Sequence, residues 1–448
     1  MLFTAAAITV AIVGVAGVRA LMRDDASSPA AHEAGWDAVA VVARTGGDIT
    51  LVSPQGTIVG EYEKLGRAAQ VEVAGSHLAL IGSTSVTLLD LAAETDTEPT
   101  VVPIERGATV TRLATNSAHL LLAAGRPAGG EVTLIDGITG WSANLGELGG
   151  LRAPRLFVDT IRTDPTGDTI AIADAASFQT IVVDRPDNPD DPDAQPVVTN
   201  YAAQPLAIGR GVVVTSQVVG QRANIAVYTA PEATSLPVPS DIPVGGVVAD
   251  GALVAVTTDG TVIRIRRGDR TPRQLTQLEL PVGSTVLEVH PMLDATRLLV
   301  RADGYSAVID TDGTVLYQSA HGLVDDAPTP TFGQRCIVAG QGGRRATLVD
   351  ALDGIELAEI DDVDLLGASA DGCTLVIADG DALTTLPGEL DREVAAGDVL
   401  AVAPDAAAVV VRNDLDRTYL EPLDGDDEPV ELTVLADNPA TEFVFVER

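Results

Sequence analysis

VTLIDGITGWSANL (132–145) carries the pattern from which the fold follows. An apolar run of strand length ends in an Asp, a Gly comes within four residues, and a second run begins. This is the chemistry of a tight hairpin: the carboxylate caps backbone N–H groups of the turn, the glycine accepts a positive φ, and the next strand returns antiparallel. The same design recurs in ITLVSPQGTIVGEY (49–62), SAVIDTDGTVLYQS (306–319) and ATLVDALDGIELAEI (346–360), with ALVAVTTDGTVIRI (252–265) as a looser copy. A second phrase, read as lying one strand earlier, appears in TDPTGDTIAIAD (163–174), SADGCTLVIADGD (369–381) and APDAAAVVVRND (403–414).

Outward from these copies the texture is uniform. Short Val, Ile, Leu and Thr runs such as AVAVVA (38–43), HLALIG (77–82), GVVVTS (211–216) and RLLVRA (297–302) alternate with Gly, Asp, Pro and Asn turns. No apolar pattern at helical spacing is sustained after Trp36, so the expected class is all-β. Strand starts near 77, 118, 168, 211, 252, 297, 335, 374 and 408 recur at a period of about 41 residues, the length of a four-stranded propeller blade. The expectation over 36–448 is therefore a closed β-propeller of four-stranded blades, seven to ten in number. Residues 38–62 read as three strands of one blade, and TEFVFVER (441–448) supplies its fourth. Closure of that kind removes two open sheet edges at once.

VTLIDGITGWSANL and its relatives resemble the pyrroloquinoline-quinone-type (PQQ-like) propeller repeat, and SADGCTLVIADGD is similar to the repeat of TolB-like and YVTN-type propellers. The resemblance implies a propeller of a bacterial envelope protein. The closing aromatic of the quinone-type repeat is present as Trp141 alone, and the vicinal cysteine pair that lies against the cofactor in quinone-dependent dehydrogenases has no counterpart. Non-enzymatic members of such groups act as envelope scaffolds that hold other proteins.

Composition narrows the partners. The 448 residues carry 64 Asp+Glu against 28 Lys+Arg, a formal −36, which repels nucleic acid and anionic lipid. Aromatics make up only 3%, too few for stacking platforms on sugars or bases. The N-terminus has its own address. Leu2 to Val18 is an uncharged apolar run extended as far as Met22. At about 1.5 Å per residue, 17 to 21 helical residues reach roughly 26 to 32 Å, the thickness of a bilayer core. Residues 1–23 are thus expected to be a single transmembrane anchor or a signal segment, and 24–35 (DDASSPAAHEAG) a linker.

Candidate site residues are few. Cys336 and Cys373 stand 37 residues apart, about one repeat, at equivalent phases (RCIVAG and GCTLVIADG). A disulfide that staples neighbouring blades in an oxidising compartment, a pair of buried free thiols, and a metal or catalytic role are the three readings. His32, His77, His119, His290 and His321 show no metal-ligand spacing, and no nucleophile elbow or phosphate loop sits in a strand-to-helix setting. No catalytic residue, cofactor or metal is assigned. The acidic runs DRPDNPDDPD (184–193), DDVD (361–364) and DGDDE (424–428) lack the register of a calcium loop. Arg264, Arg266, Arg267, Arg270 and Arg273 form the opposite case, a basic cluster on an acidic chain and the best candidate contact for a partner or an anion. The functional expectation is a cell-membrane, single-pass, extracytoplasmic propeller that binds protein partners without chemistry of its own. The alternative is a propeller enzyme, quinone-type dehydrogenase or hydrolase/lactonase, acting on a small molecule at the central channel.

Overall fold

A computed structural model describes residues 36–93, 97–113, 115, 118–126, 131–145, 156–174, 179–186, 196–201, 204–209, 212–219, 222–229, 232–238, 243–266, 269, 271–324, 333–342, 345–361, 364–379, 382–387, 390–393, 397–413, 415–423, 428–432 and 441–447. The expected anchor and linker, residues 1–35, lie outside them. Among the described residues there is no helix long and apolar enough to cross a membrane.

The chain from Ala34 onward is a β-propeller. Nine blades are antiparallel sheets of four strands, and a three-stranded sheet, Cys336–Gly342, Arg345–Asp350 and Glu356–Asp361, stands among them. In that sheet a single bridge, Leu323 to Ala339, occupies the place of the first strand. We number the blades around the ring: blade 1 (441–446 with 38–62), blade 2 (70–103), blade 3 (109–144), blade 4 (156–201), blade 5 (204–238), blade 6 (243–277), blade 7 (286–319), blade 8 (336–361), blade 9 (364–393) and blade 10 (397–431). The expected strand starts fall on the second strand of each of blades 2 to 10, so the 41-residue period is the blade repeat. First strands of successive blades touch one another, for example Gln204–Gly209 with Pro243–Ala249 and Val286–Met292, which makes them the innermost strands. Blade 1 is closed by the chain's two ends: Thr441–Val446 pairs antiparallel with Ala38–Ala43, Val41 opposite Phe443.

The second strand of a blade is covered on both faces by its neighbours, and its sequence therefore loses the alternation of a half-exposed strand. Ala252–Thr257 and Leu121–Gly125 are buried at every residue. Outer strands such as Arg273–Gln277 and Thr100–Pro103 are exposed at most positions, and the first of these reads as polar. Buried aliphatic clusters fill the seams. One joins Val262 of blade 6 to Leu298 and Val300 of blade 7, and another joins Val39 and Val41 of blade 1 to Ala408 and Val410 of blade 10.

The turn chemistry of the repeats is as the residues dictate. After the third strand of blade 3, Asp136 Oδ1 accepts from the Ile138 and Thr139 N–H groups at 2.9 and 3.3 Å, and Gly140 takes φ 75°. Asp310 and Asp350 cap blades 7 and 8 in the same way, through Asp312 N–H (3.2 Å) and Leu352 N–H (2.9 Å). The looser copy differs in position: its turn joins the second and third strands of blade 6, with Asp259 accepting from Thr261. The second phrase forms the turn between first and second strands, where Asp164 accepts from Thr169 N–H at 3.1 Å and Ser369 from Thr374 N–H at 2.9 Å.

Candidate functional site

The arginine cluster lies on blade 6. Arg264 and Arg266 belong to the third strand, Thr261–Arg266, and Arg273 opens the outer strand. Arg264 and Arg273 are directly opposed across the pair. Alternate residues of a strand share a face, so Val262, Arg264 and Arg266 look toward blade 7, as the burial of Val262 against blade 7 shows, while Ile263 and Ile265 pack toward blade 5. Arg264 is half-buried, with Nε sealed from solvent and without a hydrogen-bond acceptor; Arg266 and Arg273 are exposed. Across the seam, Asp312 at the blade 7 turn is held below the usual carboxylate range, first by the Thr314 hydroxyl and N–H and then by Arg297 and Arg264. Arg267 and Arg270 lie outside the described residues.

Cys336 and Cys373 form a disulfide with Cα atoms 4.9 Å apart. Cys336 begins a strand of blade 8, whereas Cys373 sits in the turn before Leu375–Asp379 of blade 9. The Asp371 carbonyl of that turn accepts from both Arg335 N–H (2.8 Å) and Cys336 N–H (3.0 Å), so the bridge reinforces a hydrogen-bonded seam.

A second charged grouping, unread in the sequence, has Glu442, Glu72 and Arg112 on the innermost strands of blades 1 to 3 and Arg44 just past the second strand of blade 1. Glu442 faces Arg44 at 3.6 Å, and Glu72 faces Arg112 at 3.8 Å. Burial raises the Glu442 carboxyl above its ordinary range; Arg44 opposes this and Glu72 adds to it. Its Oε2 is enclosed without a hydrogen-bond donor. Burial likewise lowers the Arg112 guanidinium against the pull of Glu72. On blade 7, Glu288 accepts from Arg301 (3.0 Å) and lies 3.0 Å from His290 Nε2, and these contacts hold its carboxyl low.

Near the rim, a pocket of about 510 Å³, counted with the open solvent at its mouth, lies among blades 1 to 3, where Tyr62, His77, Asp90, Glu98 and Thr100 meet the Gly137–Gly140 turn. Ser76 donates to Asp90 at 3.0 Å and lies 3.3 Å from His77 Nδ1. The hydroxyl thus sits between a carboxylate and an imidazole. Among the described residues no group of three His, Cys, Asp or Glu side chains is arranged to hold a metal ion. Of the other histidines, His32 lies outside the described residues, His119 gives its carbonyl to Arg112, and His321 packs its ring near Gly342. Most of 184–193 and 424–428, and residues 362–363, are also outside them; Asp184 accepts from Thr169.

No family model matches the chain, and no curated protein matches it. Solved structures are similar to it at low identity. The dihydro-heme d1 dehydrogenase NirN, in complex with DHE, is 14% identical over 75% of this chain and 75% of that one, with a TM-score of 0.42. A eukaryotic initiation factor is 12% identical over 89% and 97%, with a TM-score of 0.46. The β-propeller domain of Swd1 from Myceliophteria thermophila is 16% identical over 70% and 95%, with a TM-score of 0.36.

Proposed function

We propose that this chain is an extracytoplasmic propeller, tethered to the cell membrane by residues 1–23, that acts as a protein-binding scaffold. The observation that carries the reading is the Cys336–Cys373 bridge between blades 8 and 9. Disulfides of this structural kind belong to proteins that mature outside a reducing cytoplasm. Support for binding over chemistry comes from where the polar groups go. Asp136, Asp310 and Asp350 cap turns and hold arginines, and Ser76 is tied to Asp90. These side chains are spent on turns and on ion pairs within a blade, as Arg297–Asp310 and Arg335–Asp350, or between blades, as Arg185–Asp136.

Two measurements test this. Maleimide labelling of the denatured, non-reduced full chain from its native membrane should leave both cysteines unmodified, and full labelling there would remove the extracytoplasmic assignment. Affinity capture from detergent-solubilised membranes should recover a stoichiometric protein partner, and a chain recovered alone would count against the scaffold. One observation favours the enzymatic alternative: Glu442, with its raised carboxyl and unsatisfied oxygen on an innermost strand, is the kind of group a ring-centre acid requires. A quinone absorbance band after reconstitution, or turnover of a lactone that Glu442→Gln abolishes, would establish that reading instead.

A further inference from the structure

We propose that the arginine row of blade 6 is the docking surface for an extended acidic segment of a partner protein, an inference that rests on the scaffold reading and names the chemistry of its partner. Like charges placed directly opposite one another across a strand pair oppose its formation. Arg264 and Arg273 are so placed, and Arg266 extends the row on the same face. In a chain with 64 carboxylates the expected remedy is a local ion pair. The neighbouring blades use it: Arg297 holds Asp310, Arg301 holds Glu288, Arg335 holds Asp350 and Arg345 holds Asp361. Among the described residues Arg264, Arg266 and Arg273 have no carboxylate at ion-pair distance.

Carboxylates close to the row in sequence or across the seam carry other bonds. Asp310 serves Arg297, Asp269 caps the Arg266 N–H at 2.7 Å, Asp259 accepts from Thr261, and Asp312, which feels Arg264 across the seam without forming an ion pair with it, accepts from Thr314 N–H at 2.8 Å. Arg264 Nε is sealed from solvent, so that nitrogen adds charge to the row but no contact with an incoming group. The row therefore presents the exposed guanidiniums of Arg266 and Arg273, whose acceptors come from outside.

The form of the acceptor follows from the strand. Arg273 opens Arg273–Gln277, the outer strand of its sheet, whose far edge is unpaired within the sheet. An extended segment can add to such an edge through its backbone. Its alternate side chains, spaced roughly 6.6 Å apart, then project on one face beside the arginines. A short acidic segment meets three local cations before it meets the field of the whole chain, whereas a nucleic acid or an anionic bilayer confronts the full net charge of −36.

The test is fluorescence anisotropy of a labelled oligoglutamate peptide with the full chain at low ionic strength, compared with Arg266→Glu/Arg273→Glu, the milder Arg266→Gln/Arg273→Gln, and Arg345→Glu on blade 8 as a control. Both double variants alter only exposed side chains. Saturable, salt-sensitive binding that weakens at least about tenfold in the Glu pair, less in the Gln pair and not in Arg345→Glu is expected. Absence of binding, or equal weakening by Arg345→Glu, overturns the surface. So does tighter binding of inorganic phosphate or of phosphatidylglycerol vesicles at the same residues. Capture of an unchanged partner by the parent chain and by the Glu pair would sink this surface and leave the scaffold standing; oligoglutamate binding with no partner captured would do the reverse.

Discussion

At the residue scale the propeller rests on carboxylates that do two things at once. Asp136 caps its turn through Oδ1 and gives Oδ2 to Arg185 of the next blade, where both side chains are only 8% exposed and the guanidinium lies 5.6 Å from the Trp141 ring centre. Removal of one partner of a buried pair leaves the other charge uncompensated, at a cost of about 3–5 kcal/mol. Asp136→Ala should therefore lower the unfolding free energy obtained from urea denaturation by an amount in that range, and Asp136→Asn, which keeps the cap, by less. Glu442 makes a prediction of opposite sign. Its carboxyl is raised in the fold by burial, so the fold favours the protonated form. Its contribution to stability is present below its unfolded pKa and is lost as pH rises through the raised value. Glu442→Gln titrates no proton there, so its stability relative to the parent should grow from acidic to neutral pH in parallel thermal melts. A difference that stayed flat or shrank would show that Arg44 outweighs the burial.

At the element scale, some glycine turns press one blade against its neighbour. The turn of blade 8 places Gly354 at φ 77°, and a Cβ there would meet the Leu316 carbonyl of blade 7 at 2.1 Å. Gly251 has φ 67° with open space around it. Gly251→Ala should cost the left-handed penalty alone, about 1–2 kcal/mol, and Gly354→Ala clearly more, read as the gap between their denaturation midpoints. This turn chemistry was legible in the sequence because the Asp and Gly are local and repeat. The inner-strand bulges were not. Blades 5, 6, 7, 9 and 10 each slip register by one residue, leaving Leu206, Val244, Leu287, Leu366 and Leu400 as the extra residue. One added aliphatic in an aliphatic run changes no periodicity that a reader can count. The Glu442–Arg44 and Glu72–Arg112 pairs were hidden for a related reason: their partners come from different hairpins or from the two chain ends, and only the closed ring brings them together. The arginine cluster was visible as a run of charge, but its opposed pair needed the register of two strands.

At the scale of the whole molecule two devices hold the ring, and they act on different quantities. The disulfide closes a loop with a sequence separation of 37 residues. For a loop of that length the chain-entropy estimate is about 4 kcal/mol. Cys336→Ser/Cys373→Ser should lower stability by up to that amount while the oligomeric state of the chain does not change, because the seam keeps its backbone hydrogen bonds to the Asp371 carbonyl. The terminal strand Thr441–Val446 acts on closure itself. It pairs with Ala38–Ala43 along its whole length, and Phe445 stacks edge-on against Trp36 at 4.8 Å while Trp36 Nε1 donates to Asp405 of blade 10 at 3.1 Å. Its deletion uncovers the buried edge of Ala38–Ala43 and opens the aliphatic cluster shared by blades 1 and 10. An unpaired apolar edge is a template for pairing with another chain. A chain ending at 440 should therefore elute as dimers and larger species in size-exclusion chromatography, with Trp36 emission shifted to the red. A monomer with unshifted emission would mean that the seams alone hold the ring and that the ends meet without closing it.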